Sequence, residues 1–244
     1  YTPCCAFRAD LSEYTGKRLY ENYNEYFTSD YLNYIRSNFL SGNKIAECSD
    51  CWKKEDAGVV SLRQKDLQEK FGNKFSTHIQ ENIVSNPRIV NADIKTGNLC
   101  NFSCGMCDSA DSSTHYARDS KQRDNEFVVE SVNTYSDYGK MSVDEYFEKI
   151  RNRFSRSYPS EIDELLDQGK LLNLKILGGE PFMYPKLLQT LANQPLGIKQ
   201  KLKLSFTTNG SHDMTETLNA LADYKSIWIT VSIEGIGQTQ DYIR

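Results

Sequence analysis

The sequence predicts an α/β protein in which a small, cysteine-rich, helix-containing segment precedes a series of parallel strand–helix units. Three observations carry this prediction. Four short runs rich in β-branched or alternating apolar residues end near 94, 177, 206 and 231, and each leads into glycine or small polar residues. Period-two runs that break at such residues read as strands, and helical patterns between them imply parallel crossovers. Second, three cysteines crowd one loop after the first run, in Cys100-Asn101-Phe102-Ser103-Cys104-Gly105-Met106-Cys107. Third, the other four cysteines of the chain, Cys4, Cys5, Cys48 and Cys51, all lie before residue 88, so the boundary is drawn between a module over 1–87 and a strand-bearing domain over 88–244.

Within the module, Ser29 and Asp30 open a helix over 29–40, with Tyr31, Tyr34, Ile35 and Phe39 on its apolar face and Gly42 as its stop. Cys48 and Cys51 form a Cys-x-x-Cys pair, followed by Glu55, Ser61 and Arg63. Tyrosine is abundant at 15 residues and concentrated over 14–34, where packing of the small module is the expected use. Four cysteines suit a structural zinc as well as an iron–sulfur cluster. Adjacent Cys4 and Cys5 need not both be ligands.

The first strand is expected over Arg88–Thr96, and the cysteine loop follows it directly. Three thiolates at Cys100, Cys104 and Cys107 can hold three corners of an iron–sulfur cube and leave the fourth iron without a protein ligand. A zinc knuckle would need a fourth ligand, and the nearest histidine downstream is His115. The charge-rich stretch 117–140 reads as a loop; helices resume from a capping-box pattern at Ser142 and Glu145 to about Arg156, and again over 160–169.

The second strand, Leu172–Leu177, runs into Gly178-Gly179-Glu180-Pro181. Paired glycines permit close backbone approach to a ligand, and Pro181 suits a first helical turn. The third strand ends in Thr207-Thr208-Asn209-Gly210 and the fourth, Ser226–Val231, in Ser232-Ile233-Glu234-Gly235. Carboxyl ends of parallel strands are where such folds assemble their sites, although each turn taken alone is equally an ordinary strand-to-helix connection.

The Cys-x3-Cys-x2-Cys loop, followed by the Gly-Gly-Glu, Thr-Asn-Gly and Ser-x-Glu-Gly strand ends, resembles the radical S-adenosylmethionine (radical SAM) superfamily. The resemblance implies a partial (β/α) TIM-type barrel, here expected to be truncated after the fourth strand, because the family's barrel has six units. It implies a [4Fe–4S] cluster on Cys100, Cys104 and Cys107, with S-adenosylmethionine (SAM) chelated to the open iron. Gly178, Gly179 and Glu180 would hold the methionyl ammonium, Asn209 and Ser232 the carboxylate and ribose hydroxyls, and Met106 would pack on adenine. Glu234 stands where the family usually has Asp, which leaves its role undefined. The segment Asp111-Ser112-Ser113 would help to enclose the site. The residues before 88 resemble the twitch auxiliary-cluster module of SPASM/twitch proteins, set N-terminally as in a group common among phage and marine sequences. That likeness implies a second cluster, or a zinc, on Cys4, Cys5, Cys48 and Cys51.

Net charge is −4 with no basic block, which argues against general nucleic-acid binding. No apolar run reaches the roughly 18 residues of a membrane span, and no secretory leader is visible, so seven cysteines read as metal ligands of a cytoplasmic protein. Two function classes follow. The first is a radical SAM enzyme that cleaves SAM to a 5′-deoxyadenosyl radical and abstracts hydrogen from a peptide or protein. Its expected partners are a reductant such as flavodoxin or ferredoxin, and a C-terminal half or second chain completing the barrel. The second is a non-catalytic iron–sulfur or zinc metalloprotein with an electron-transfer or scaffold role. No catalytic acid or base stands out in the sequence.

Overall fold

A computed structural model describes residues 4, 7, 23–71, 87–135, 141–154 and 161–243. The chain divides into two compact units, Tyr1–Arg88 and Ile89–Arg244. Cys5 and the tyrosines at 14 and 20 lie outside the described residues.

In the first unit, α1 (Tyr23–Phe27) leads into α2 (Asp30–Leu40), whose N-cap Ser29 accepts a hydrogen bond from the Leu32 amide. Gly42, at φ 73°, lies just beyond its C-cap. The buried face differs from the expected one. Leu32, Ile35 and Arg36 point inward, with Tyr31 and Phe39 partly buried beside them, while Tyr34 is 58% exposed. The i, i+3, i+4, i+7 stripe therefore runs through residue 32 rather than 31, and Arg36 joins it by laying its guanidinium over the Phe27 ring and donating to the Phe27 carbonyl at 2.6 Å. Burial holds the Arg36 pKa below its ordinary value.

A 3₁₀ turn (Ala46–Cys48), α3 (Ser49–Asp56) and α4 (Leu62–Phe71) complete the described part of this unit. Phe7, Leu32, Ile35, Ile45 and Cys48 form its apolar centre, with Trp52 against them. Glu55, Ser61 and Arg63 converge. The Glu55 carboxylate accepts from Ser61 Oγ at 2.5 Å and from Arg63 Nε and Nη2 at 3.1 and 2.5 Å, and Arg63 stacks on Trp52 at 4.4 Å.

The second unit is built on a four-stranded parallel sheet in the order β1-β2-β3-β4: Asn91–Lys95, Asn173–Leu177, Lys203–Thr208 and Ser226–Val231. One register row crosses it as Ile94, Ile176, Phe206 and Ile229. Leu174, Ile176, Leu204 and Phe206 are almost wholly buried, as expected of central parallel strands. Because every strand runs the same way, the four carboxyl ends share one edge of the sheet. That edge receives the cysteine loop and the three Gly-containing turns.

The β1–β2 crossover carries α5 (Ser113–Asp119), α6 (Glu126–Tyr135), α7 (Val143–Phe154) and α8 (Glu161–Asp167). The loop expected over 117–140 is thus helical for much of its length; residues 136–140 lie outside the described residues. The reason is tertiary. Val128 and Val132, one turn apart, pack with Tyr146, Phe147 and Ile150 of α7, and this apolar pair supplies too little periodicity to be read among the surrounding charges. The Ser142–Glu145 capping box forms as expected. Later crossovers use α9 (Pro185–Ala192), α10 (Leu196–Lys199) and α11 (Thr215–Ala220); α12 (Gln238–Ile243) follows β4. Among the described residues no helix is long and apolar enough to cross a membrane.

Candidate functional site

The cysteine loop is held against the sheet by hydrogen bonds from both neighbouring segments. The Cys100 amide donates to Ser113 Oγ at 3.1 Å, and the Cys100 carbonyl accepts from Ser113 Oγ and Thr114 Oγ1 at 3.1 and 2.8 Å. Ser112 Oγ donates to the Phe102 carbonyl at 2.6 Å. Residues 112–114 therefore grip the loop. On the opposite side the Leu99 amide donates to the buried Tyr184 hydroxyl at 2.8 Å. Nothing in the sequence marked Tyr184; an aromatic after Pro181 carries no motif, and only the fold brings it to residue 99.

Gly178 and Gly179 do allow a close approach, but to the chain's own backbone. A Cβ on Gly179 would sit 2.3 Å from the Leu99 carbonyl oxygen, and one on Gly178, at φ 131°, would sit 2.8 Å from the Gly97 carbonyl oxygen. The Gly179 and Glu180 amides donate to the carbonyls of Gly97 and Leu99 at 2.9 and 2.7 Å. These glycines are what let the stem of the cysteine loop lie on the end of β2.

Glu180 is fully buried. Its carboxylate accepts from the Phe182 amide (3.1 Å), Thr208 Oγ1 (2.8 and 2.9 Å) and the Asn209 amide (2.7 Å), tying the end of β2 to the end of β3. All these donors are neutral, and among the described residues no ion pair includes Glu180. Asn209 turns its amide toward the loop: Nδ2 donates to Asn101 Oδ1 at 3.0 Å and to Cys100 Sγ at 3.7 Å. Ser211 Oγ accepts from Asn101 Nδ2 at 2.9 Å. The Ser232 amide donates to the Thr208 carbonyl at 2.9 Å, placing it beside the same edge. The Glu234 and Gly235 amides share the Gln240 side-chain oxygen. Met106 is 58% exposed and, with Cys107, lines a cavity of about 390 Å³ on the crossover side of the loop.

None of the six described cysteines is in a disulfide. Burial pushes the Cys107 thiol up to about 11, reinforced by Cys104, Asp111, Cys100 and Asp108. Burial likewise pushes Cys48 up to about 11, reinforced by Cys4, Cys51 and Glu47 and opposed by Arg63. Cys107 thus feels Cys100 and Cys104, and Cys48 feels Cys4 and Cys51. Among the described residues no three His, Cys, Asp or Glu side chains are drawn together as a ready-made metal cage. The thiol chemistry of both sets suits iron, and thiol protons are what a bound cation would displace. At the first set, the Phe102 amide and Asn209 Nδ2 already donate to Cys100 Sγ, as donors around a cluster sulfur do.

A family model described as the Radical SAM superfamily matches residues 94–244, more than half of the chain and the whole of this site. The four-stranded parallel sheet is consistent with a partial barrel of that kind. No curated protein and no solved structure matches the chain significantly.

Proposed function

This chain belongs to the radical SAM superfamily, and from that premise we propose that it generates a radical to modify a peptide or protein. An open-site [4Fe–4S] cluster, when bound, supplies the electron that splits SAM into methionine and a 5′-deoxyadenosyl radical able to abstract hydrogen from an unreactive carbon. Cys100, Cys104 and Cys107 would hold that cluster. The observation that carries the proposal is the convergence of the cysteine loop with two strand ends, through Asn209 Nδ2 on Cys100 Sγ and the Glu180 amide on the Leu99 carbonyl.

Glu180 is the acidic group of the SAM site in this reading. A buried carboxylate with neutral donors alone leaves an electrostatic demand that a ligand ammonium meets. Asn209, Ser232, Gly178 and Gly179 would shape the edge on which the methionyl group lies, and Met106 offers a thioether to the adenine. The first unit would carry an auxiliary iron–sulfur cluster on Cys4, Cys48 and Cys51, with Cys5 as a further candidate. Its likeness to twitch modules supports a peptide or protein substrate. A flavodoxin- or ferredoxin-type protein would deliver the electron.

Anaerobic reconstitution with iron and sulfide, followed by dithionite and SAM, tests the proposal. The expected product is 5′-deoxyadenosine by chromatography. A reconstituted chain that binds iron yet releases none would make it a non-catalytic metalloprotein.

A further inference from the structure

His115 is buried, and nothing in the proposed chemistry uses it. It sits on α5 behind the cysteine loop, with Nε2 2.9 Å from the Cys104 carbonyl oxygen and Nδ1 2.6 Å from Arg118 Nη2. A guanidinium can only donate, and the Asp119 carboxylate, 3.9 Å from Nδ1, lies beyond hydrogen-bond reach, so Nδ1 is the accepting nitrogen. The proton of the neutral ring is then on Nε2, which donates to Cys104.

The Cys104 carbonyl also accepts the Cys107 amide at 2.9 Å, so both of its lone pairs are engaged. The other end of the same peptide unit is held too, because the Gly105 amide donates to the Ile243 carbonyl at 2.8 Å. Behind the imidazole, Arg118 Nε is fixed by Asp119 Oδ1 at 2.7 Å, and Asp119 Oδ2 accepts from Ser109 Oγ at 2.9 Å. The chain of contacts begins and ends on the segment that bears the cysteines. His115, Arg118 and Asp119 also wall the cavity shared by Met106 and Cys107.

We propose that His115, as its Nε2–H tautomer, is a positioning residue that clamps the Cys104–Gly105 peptide and so fixes the spacing of the three cluster thiols. The inference rests on those thiols holding a cluster, as proposed above. It assigns His115 no contact with substrate.

The test compares the reconstituted full chain with His115→Ala and His115→Gln. A glutamine can place an N–H near Nε2 and a carbonyl near Nδ1, so it restores both hydrogen bonds. His115→Ala is expected to lose iron to a ferrous chelator about tenfold faster or more, the usual scale for removing a group that orients a metal ligand. The electron paramagnetic resonance spectrum of its reduced cluster should shift, and His115→Gln should return both readouts close to the parent. Iron loss from folded His115→Ala at the parent rate, or a glutamine variant as labile as the alanine one, overturns the proposal. Nitrogen-15 resonances of labelled histidine in the unaltered chain decide the matter even if His115→Ala does not fold. An Nε2–H ring with an accepting Nδ1 is expected, and an Nδ1–H ring overturns it. If the parent itself takes up no iron, the cluster assignment falls, and the tautomer still judges the clamp.

Discussion

Glu180 places a carboxylate where solvent does not reach, among the amides of Phe182 and Asn209 and the Thr208 hydroxyl. In Glu180→Gln one carboxylate oxygen becomes an NH₂ that faces a donor. The apo chain should lose about 1–3 kcal/mol of unfolding free energy in urea, the cost of a buried group left unsatisfied. SAM binding by calorimetry should weaken by about 1.5–3 kcal/mol, the scale of a hydrogen bond to a charged group. Unchanged SAM affinity in a folded variant would remove Glu180 from the ligand site and leave it as a fastener between strands. The thiols make a second prediction. Cys107 and Cys48 are both held up to about 11, first by burial and then by neighbouring thiols and carboxylates. A raised value favours the neutral thiol in the fold, so its stabilising contribution is complete below the ordinary thiol range and is lost as pH rises through about 11. Metal uptake displaces these protons, so affinity should increase with pH over that window. Iodoacetamide labelling of the apo chain, read by mass spectrometry, should keep accelerating at both cysteines beyond the ordinary thiol range toward pH 11. A plateau near pH 8.5, the ordinary thiol value, would contradict the burial argument.

At the level of elements, the turn after β2 is the joint on which the site depends. Gly179→Ala would drive a methyl into the carbonyls of Asn98 and Leu99, backbone atoms with nowhere to go. The expected loss is about 1–3 kcal/mol or more in urea unfolding, typical of overpacking, together with reduced iron uptake by a displaced loop. Gly197→Ala is the matched control. Its Cβ meets nothing within 4 Å, and α10 gains up to about 1 kcal/mol of helix propensity. Equal behaviour of the two variants would show that the close approach at Gly179 does not matter. The Gly-Gly pair was legible as a place of close approach, but the sequence could not say that the approaching group is the stem of the cysteine loop. The strands and the capped helices α2 and α7 were legible because their signals are local: alternation, a Ser cap, a capping box. Helix α6 was not, since Val128 and Val132 become an apolar face only when Phe147 and Ile150 lie opposite.

For the molecule as a whole, the two cysteine sets belong to separate compact units. Replacing Cys100, Cys104 and Cys107 together by Ala should abolish SAM cleavage and leave metal on the first unit. Replacing Cys48 and Cys51 should leave reductive SAM cleavage intact while iron falls from about eight to about four per chain, one cube being lost. Zinc in place of iron at the first unit would make it structural, and loss of SAM cleavage in the Cys48/Cys51 variant would break the two-site scheme. The sequence by itself determined the donor chemistry and the strand ends, because cysteine spacing and β-branched runs closed by glycine are properties of short segments. It also determined the family, since the motifs recur in a fixed order along the chain. Only the tertiary structure decided what surrounds them. Asn209 on Cys100, Tyr184 on Leu99 and His115 on Cys104 pair residues far apart or on opposite sides of a turn, and such pairs are fixed by strand register and helix packing that no local pattern encodes.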